Sequence, residues 1–139
     1  MSPERNRDPE RVVYRWNRIF TALAAEPRRQ VVDALMDVED GGYVSLPNAA
    51  DNHHLPDDPT ELRVQLHHQH LPLLEASEFV EWQRDPFRAY RGPRFEEIEA
   101  VLEALYANAA DIPDQLVHSC RSLERHQNGH NGDSTSMSD

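Results

Sequence analysis

Lysine is absent from this chain: all fourteen of its basic Lys and Arg positions are arginine. Cys120 is the only cysteine, which excludes an intramolecular disulfide and any multi-cysteine zinc site. No run approaches the ~18 apolar residues of a membrane-spanning helix. The polar opening "MSPERNRDPE" carries no apolar signal-peptide core, so a cytoplasmic protein without a membrane partner is expected. Glycine is scarce, and the only pair, Gly41-Gly42, marks a turn rather than a phosphate-cradling loop. Ser45 and Ser77 have no base and orienting acid that the sequence can arrange around them. Glu96-Glu97 falls on a solvated helix face. These absences point away from an enzyme, and no cofactor is expected.

What is present is a length of 139 residues, enough for one domain with tails. Acids outnumber bases, 25 to 14, for a net charge of -11. The arginines are not spread evenly. Residues 1–30 hold seven against four acids, and residues 31–62 hold none against eight. Residues 63–94 then carry five arginines against four acids, before the chain turns acidic again. A surface for phosphate has to be built from the two arginine-bearing segments.

Periodicity orders the chain. Val12, Val13, Trp16, Ile19, Phe20 and Leu23 recur at helical spacing, after a tail over residues 1–10 that reads as flexible. Pro27 fits the first turn of a second helix, "PRRQVVDALMD", which Gly41-Gly42 ends. "YVSL" reads as a short extended segment and "PNAAD" as one helical turn. In "DDPTEL", Asp58 is placed to cap, Pro59 to occupy the first helical position and Glu61 to complete a capping box. That helix should run to about Ala76. "FVEWQR" and "FRAYR", split by Asp85-Pro86, alternate like a hairpin. A helix follows with Phe95, Ile98, Val101, Leu102 and Leu105 on one face, then an amphipathic piece with Leu116, Val117, Cys120 and Leu123. Residues 125–139 are polar and read as disordered, leaving one domain over residues 11–124. The fold class expected is mainly α with a small β-hairpin, the layout of a winged helix-turn-helix domain.

Two segments carry a family resemblance. "IFTALAAEPRRQVVDALMD" is similar to the opening of arsenic-repressor-like (ArsR-type) winged-helix regulators, and "HLPLLEASEFVEW" to the end of their recognition helix and first wing strand. The likeness runs from Val12 to Leu105. "LHHQHLPLLEASEFVEW" is closer still to winged-helix proteins common in haloarchaea, and an acidic chain without lysine resembles the proteins of such high-salt cytoplasms. Two departures stand out: Ser77-Glu78 replaces the usual Ala-Gly, and the loop Asn52–Asp57 is long and acidic. The resemblance implies a DNA-binding transcriptional regulator that pairs as a homodimer through its first and last helices. Independently, the apolar faces Ile19, Phe20, Leu23 and Leu102, Leu105, Leu116 offer more area than a small core absorbs.

The stretch "HHQH" admits two chemistries. At 100° per residue, Leu62, Leu66, His70, Leu73 and Leu74 share a core face, with His70 as a half-buried cap bonded to backbone. Glu61, Val64, Gln65 and His68 point away and His67 lies on the flank. Pro72 withdraws a donor, so a kink or a tight last turn is expected. A metal site would join His67 and His70 to His53, His54 or Asp57. No thiolate accompanies them, whereas the metal sensors of the resembling family mostly use cysteine-containing sites, so no metal is expected. For double-stranded DNA, the recognition helix (about 59–76) offers Arg63, Gln65, His67 and His68 to the major groove. The wing (about 79–92) and its flank offer Arg84, Arg88, Arg91 and Arg94 to the backbone. Two rivals remain: a protein-interaction module that does not bind DNA, favoured by the acidic charge, and a metal-responsive regulator. In the bland reading the arginines only protect an edge hairpin from pairing.

Overall fold

Prolines mark where helices start. The computed structural model describes residues 8–51 and 58–117. Helix α1 (Pro9–Leu23) opens with proline in its first turn, and the Asp8 side chain accepts from the Glu10 N–H at 3.0 Å. The helix thus takes in Pro9 and Glu10, two residues expected in the tail, because the Asp8-Pro9 pair is itself a start signal. Helix α2 (Glu26–Met36) likewise has Pro27 in its first turn and buries Val31, Val32 and Leu35 completely. Strand β1 (Tyr43–Ser45) and a single 3-10 turn (Asn48–Ala50) follow. Helix α3 (Pro59–Gln65) starts at Pro59 as expected, with Asp58 accepting from the Thr60 N–H at 2.9 Å, but Glu61 accepts from Gln65 rather than completing a capping box.

Next to Pro72 the helix widens rather than tightening into a last turn. Residues Leu66–His70 form a π turn, in which the Leu71 N–H bonds the Leu66 carbonyl five residues back, before helix α4 (Leu71–Ala76) resumes. Proline at 72 has no N–H to keep a tighter register, and a π turn absorbs one residue where the ladder is already broken. The wider turn also re-aims the side chains. Leu66 and Leu71, five apart, are both fully buried, while Leu73, expected on the core face, is only half-buried. Residues Leu62, Leu66, His70 and Leu74 face the core as the spacing requires.

After α4 the chain turns through Glu78, whose φ of 66° lies in the left-handed region that glycine enters most cheaply. Strands β2 (Val80–Arg84) and β3 (Phe87–Arg91) form the expected hairpin, but β1 joins it, giving a three-stranded antiparallel sheet of order β1-β3-β2. Tyr43 pairs with Tyr90, and Trp82 with Ala89. Val80, Trp82, Arg84, Phe87, Ala89 and Arg91 share one face of the hairpin; Glu81, Gln83, Arg88 and Tyr90 share the other. Gly92 lies against the chain it leaves: a Cβ there would meet the Glu78 carbonyl oxygen at 2.6 Å and the Val80 nitrogen at 2.8 Å. Helix α5 (Phe95–Ala107), a 3-10 turn (Ala109–Asp111) and the short helix α6 (Asp114–Val117) complete the described chain. The protein is mostly helical with one small sheet, and no helix among the described residues is long and apolar enough to cross a membrane. Cys120 and Leu123, the loop with His53, His54 and Asp57, and the tail from 125 lie outside the described residues.

The core gathers α2, the buried sides of α3 and α4, Phe79 just before β2, Val80 and Ala89 from the sheet, and Phe95, Ile98 and Leu102 from α5. Helix α1 contributes little to it. Only Ile19 and Ala22 of that helix are buried, while Val12, Val13, Trp16 and Phe20 remain exposed. Beside them runs a groove of about 850 Å³ between α1 and α5, lined by Val12, Trp16, Phe20, Val101, Leu105 and Ile112 among others. Of the apolar surplus read from the sequence, Ile19 and Leu102 enter the core, Leu23 is half-buried, and Phe20, Leu105 and Leu116 stay at the surface.

Candidate nucleic-acid interface

The hairpin reaches the helix through rings. His67, the first histidine of the π turn, lies flat on Phe87 with ring centres 4.3 Å apart and planes 16° from parallel. Its edge meets Trp82 at 5.6 Å, and Trp82 in turn meets Phe87 edge-on at 6.2 Å. The Nδ1 of His67 is 2.9 Å from the Arg63 carbonyl oxygen, which can only accept, so Nδ1 carries the proton and donates. Cations close the cluster at both ends. The Arg63 guanidinium stands 4.9 Å above Phe87, and that of Arg84 stands 4.9 Å above Trp82. Arg63 and Arg84 are therefore brought together across the helix and the hairpin, joined through the rings of Phe87, His67 and Trp82.

Gln65 and His68 are exposed on the helix, and Gln65 leans on Glu61 at 3.4 Å, so Glu61 accepts from it within the helix. Val64 is 52% exposed between them, an apolar group on a face otherwise polar. The helical spacing turns Val64 outward on this face, as its exposure shows. Arg88 is set apart. It lies on the opposite face of the sheet, its guanidinium 3.9 Å from the centre of the Tyr43 ring.

Arg91 and Arg94 serve the fold. Arg91 donates to the carbonyls of Leu35 (2.9 Å), Met36 (3.2 Å) and Val38 (2.7 Å), closing the C-terminal end of α2, and meets Asp40 at 3.3 Å. The Leu35 carbonyl also accepts from the Val38 N–H at 3.4 Å, so Arg91 adds a donor to the helix end there and supplies donors to the Met36 and Val38 carbonyls beyond it; a cation also suits the negative end of the helix dipole. Arg94 bonds Glu97 at 2.9 Å and approaches Glu78 at 3.5 Å. Arg15 from α1 reaches the same carboxylate at 2.7 Å, across 82 residues of sequence. Burial pushes the Glu97 carboxyl up, but the hydrogen bonds and charges of Arg15 and Arg94 outweigh it and hold the group below its ordinary range. Neither arginine of this pair at 91 and 94 is left as an unengaged phosphate ligand.

His70 also differs from expectation, being buried (5% exposed) and bonded to a guanidinium rather than to backbone. Arg28 donates to its Nδ1 at 2.9 Å while also holding the carbonyls of Ala22 (3.0 Å) and Thr21 (2.8 Å) at the end of α1. A guanidinium only donates, so Nδ1 accepts and the ring is neutral with its proton on Nε2. Burial first, and the Arg28 charge second, push the His70 pKa down to about 4. A cation could replace Arg28 there only by displacing three hydrogen bonds. Among the described residues no three His, Cys, Asp or Glu side chains converge as metal ligands. No known family model, curated protein or solved structure matches this chain.

Proposed function

We propose that this protein is a DNA-binding transcriptional regulator with a winged helix-turn-helix fold, of the arsenic-repressor-like kind that its sequence resembles. The observation that supports it most is the joining of Arg63 on the helix to Arg84 on the hairpin through Phe87, His67 and Trp82. A helix with Arg63, Val64, Gln65 and His68 outward offers hydrogen-bonding and apolar groups to base edges. Arg84 beside it, and Arg88 on the outer face of the sheet, supply the positive charge that a duplex backbone requires. The element order, with a capped helix feeding a two-stranded wing that a third strand backs, agrees with this reading.

The homodimer belongs to the same proposal. Val12, Trp16, Phe20 and Leu105 leave an apolar strip along the α1–α5 groove, and a second copy would cover it isologously and present two helices to a palindromic site. The decisive assay is selection of bound fragments from the source genome at molar KCl, where an acidic chain is screened against its own repulsion. The regulator reading expects recovered fragments sharing an inverted repeat, and light scattering at twice the 16.0 kDa chain mass. A folded protein that retains no fragment at any salt would replace it with the interaction module.

A further inference from the structure

His67 was placed among the base-reading groups by its position in the helix, yet its ring is turned away from that task. One face is covered by Phe87 at 4.3 Å, its edge is met by Trp82 at 5.6 Å, and its Nδ1–H is consumed by the Arg63 carbonyl at 2.9 Å. A ring held on these sides keeps only its Nε2 lone pair to offer a base pair. What it does touch is the distal half of the hairpin, on the face that carries Arg84.

We propose that His67 is a positioning residue: it fixes Trp82 and Phe87 against the helix so that the guanidiniums of Arg84 and Arg63 are presented together. The inference rests on the DNA-binding reading for its purpose, though not for its geometry. Each guanidinium is poised over an aromatic face, 4.9 Å from the ring centre, and such stacking orients the planar group while leaving N–H edges free for an anion. The rings are oriented in turn by His67, whose own plane is set by the hydrogen bond to Arg63. The hairpin backbone near this point is tied on its other side, where the Leu46 N–H donates to the Phe87 carbonyl at 3.0 Å. The ring stack is what joins its helix-facing side to the π turn. The π turn is part of the device, because it is the local widening that carries residues 66–70 out of ordinary helical register.

The test compares His67→Ala with His67→Phe, which keeps a flat ring and loses the N–H. Two readouts are needed, one independent of DNA. The first is 15N relaxation of the Trp82 indole N–H, told apart from Trp16 by a Trp16→Phe variant. The wild-type indole should be as ordered as a rigid amide, S² about 0.85, fall below about 0.6 in His67→Ala, and recover in His67→Phe. The second is the slope of log affinity against log salt on a bound fragment, expected to drop by about 1 in His67→Ala as the Arg84 contact is lost, with base preference unchanged. An indole equally ordered in His67→Ala overturns the proposal, as does a mobile indole with an unaltered slope. A change in base preference in His67→Phe would return His67 to the base-reading set and overturn it as well. If the wild type binds no DNA, the regulator reading fails while the relaxation arm still decides the brace. Should His67→Ala not fold, Phe87→Leu removes the other half of the stack and carries the same expectations.

Discussion

The hairpin carries arginine at both ends, and the two ends are employed in opposite ways. At the root, Arg91 closes the end of α2 on three carbonyls and Arg94 is paired with Glu97 and Glu78. Toward the tip, Arg84 and Arg88 lie over Trp82 and Tyr43, with no carboxylate partner among the described residues. Sequence presents four equivalent cations within eleven residues. What separates them is that the root arginines bond carbonyls and carboxylates, whereas the tip arginines rest on aromatic faces and make no ion pair among the described residues, even with Asp85 in the turn. A count of arginines thus overstates the charge available to a partner by about half of this group.

The comparison is sharpest where the root can be broken. Gly92→Ala should cost most, roughly 3 kcal/mol or more, because its Cβ would meet backbone atoms at 2.6 and 2.8 Å that no rotamer change can relieve. Denaturant melting reads this directly, and a loss under 1 kcal/mol would show that the root can shift. Next comes acid. His70 belongs to the fold as Arg91 does, and a group held near 4 instead of 6.5 is linked to about 3 kcal/mol. The unfolded chain takes up this proton first, so the contribution is complete above pH 6.5 and is lost as pH falls toward 4. His70→Gln keeps an acceptor for Arg28 but does not titrate. Wild type should therefore lose stability relative to His70→Gln across that window, whereas parallel curves would contradict the buried neutral ring.

Arg91→Ala ranks third, at about 2 kcal/mol, since partly buried carbonyls lose charge-assisted donors. At the tip, Arg84→Ala should cost no more than about 1 kcal/mol, the size of an exposed cation–π contact. Equal losses at 84 and 91 would erase the distinction between the two ends.

Much of the layout was legible because it rests on local chemistry. Asp58-Pro59 specifies a helix start by cap and fixed φ, and alternation around Asp85-Pro86 specifies a hairpin. The same Asp-Pro signal stands at residues 8 and 9, where the polar run around it masks the helix start. Other features had no local sign. The π turn depends on where neighbouring elements want Leu66 and Leu71, and a fixed 100° step assigned Leu73 to the core in place of Leu71. Membership of β1 in the sheet is a pairing across more than 40 residues, from Tyr43 to Tyr90. The partners of Arg15, Arg28 and Arg91 are likewise distant, so the sequence could group cations but could not say which were already engaged. Glu78 had no local sign either: it takes a left-handed φ of 66° that glycine enters most cheaply, and its side chain meets Arg94 at 3.5 Å.

The measurement that bears most directly on the whole account is the salt dependence of DNA binding by wild type, Arg84→Ala and Arg94→Ala on one bound fragment. Each phosphate contact contributes close to one counterion to the slope. Arg84→Ala should lower the slope by about 1, and Arg94→Ala, whose cation is held by Glu97 and Glu78, should leave it unchanged. Equal slopes for all three proteins, or a drop confined to Arg94→Ala, would contradict the assignment of this face to DNA.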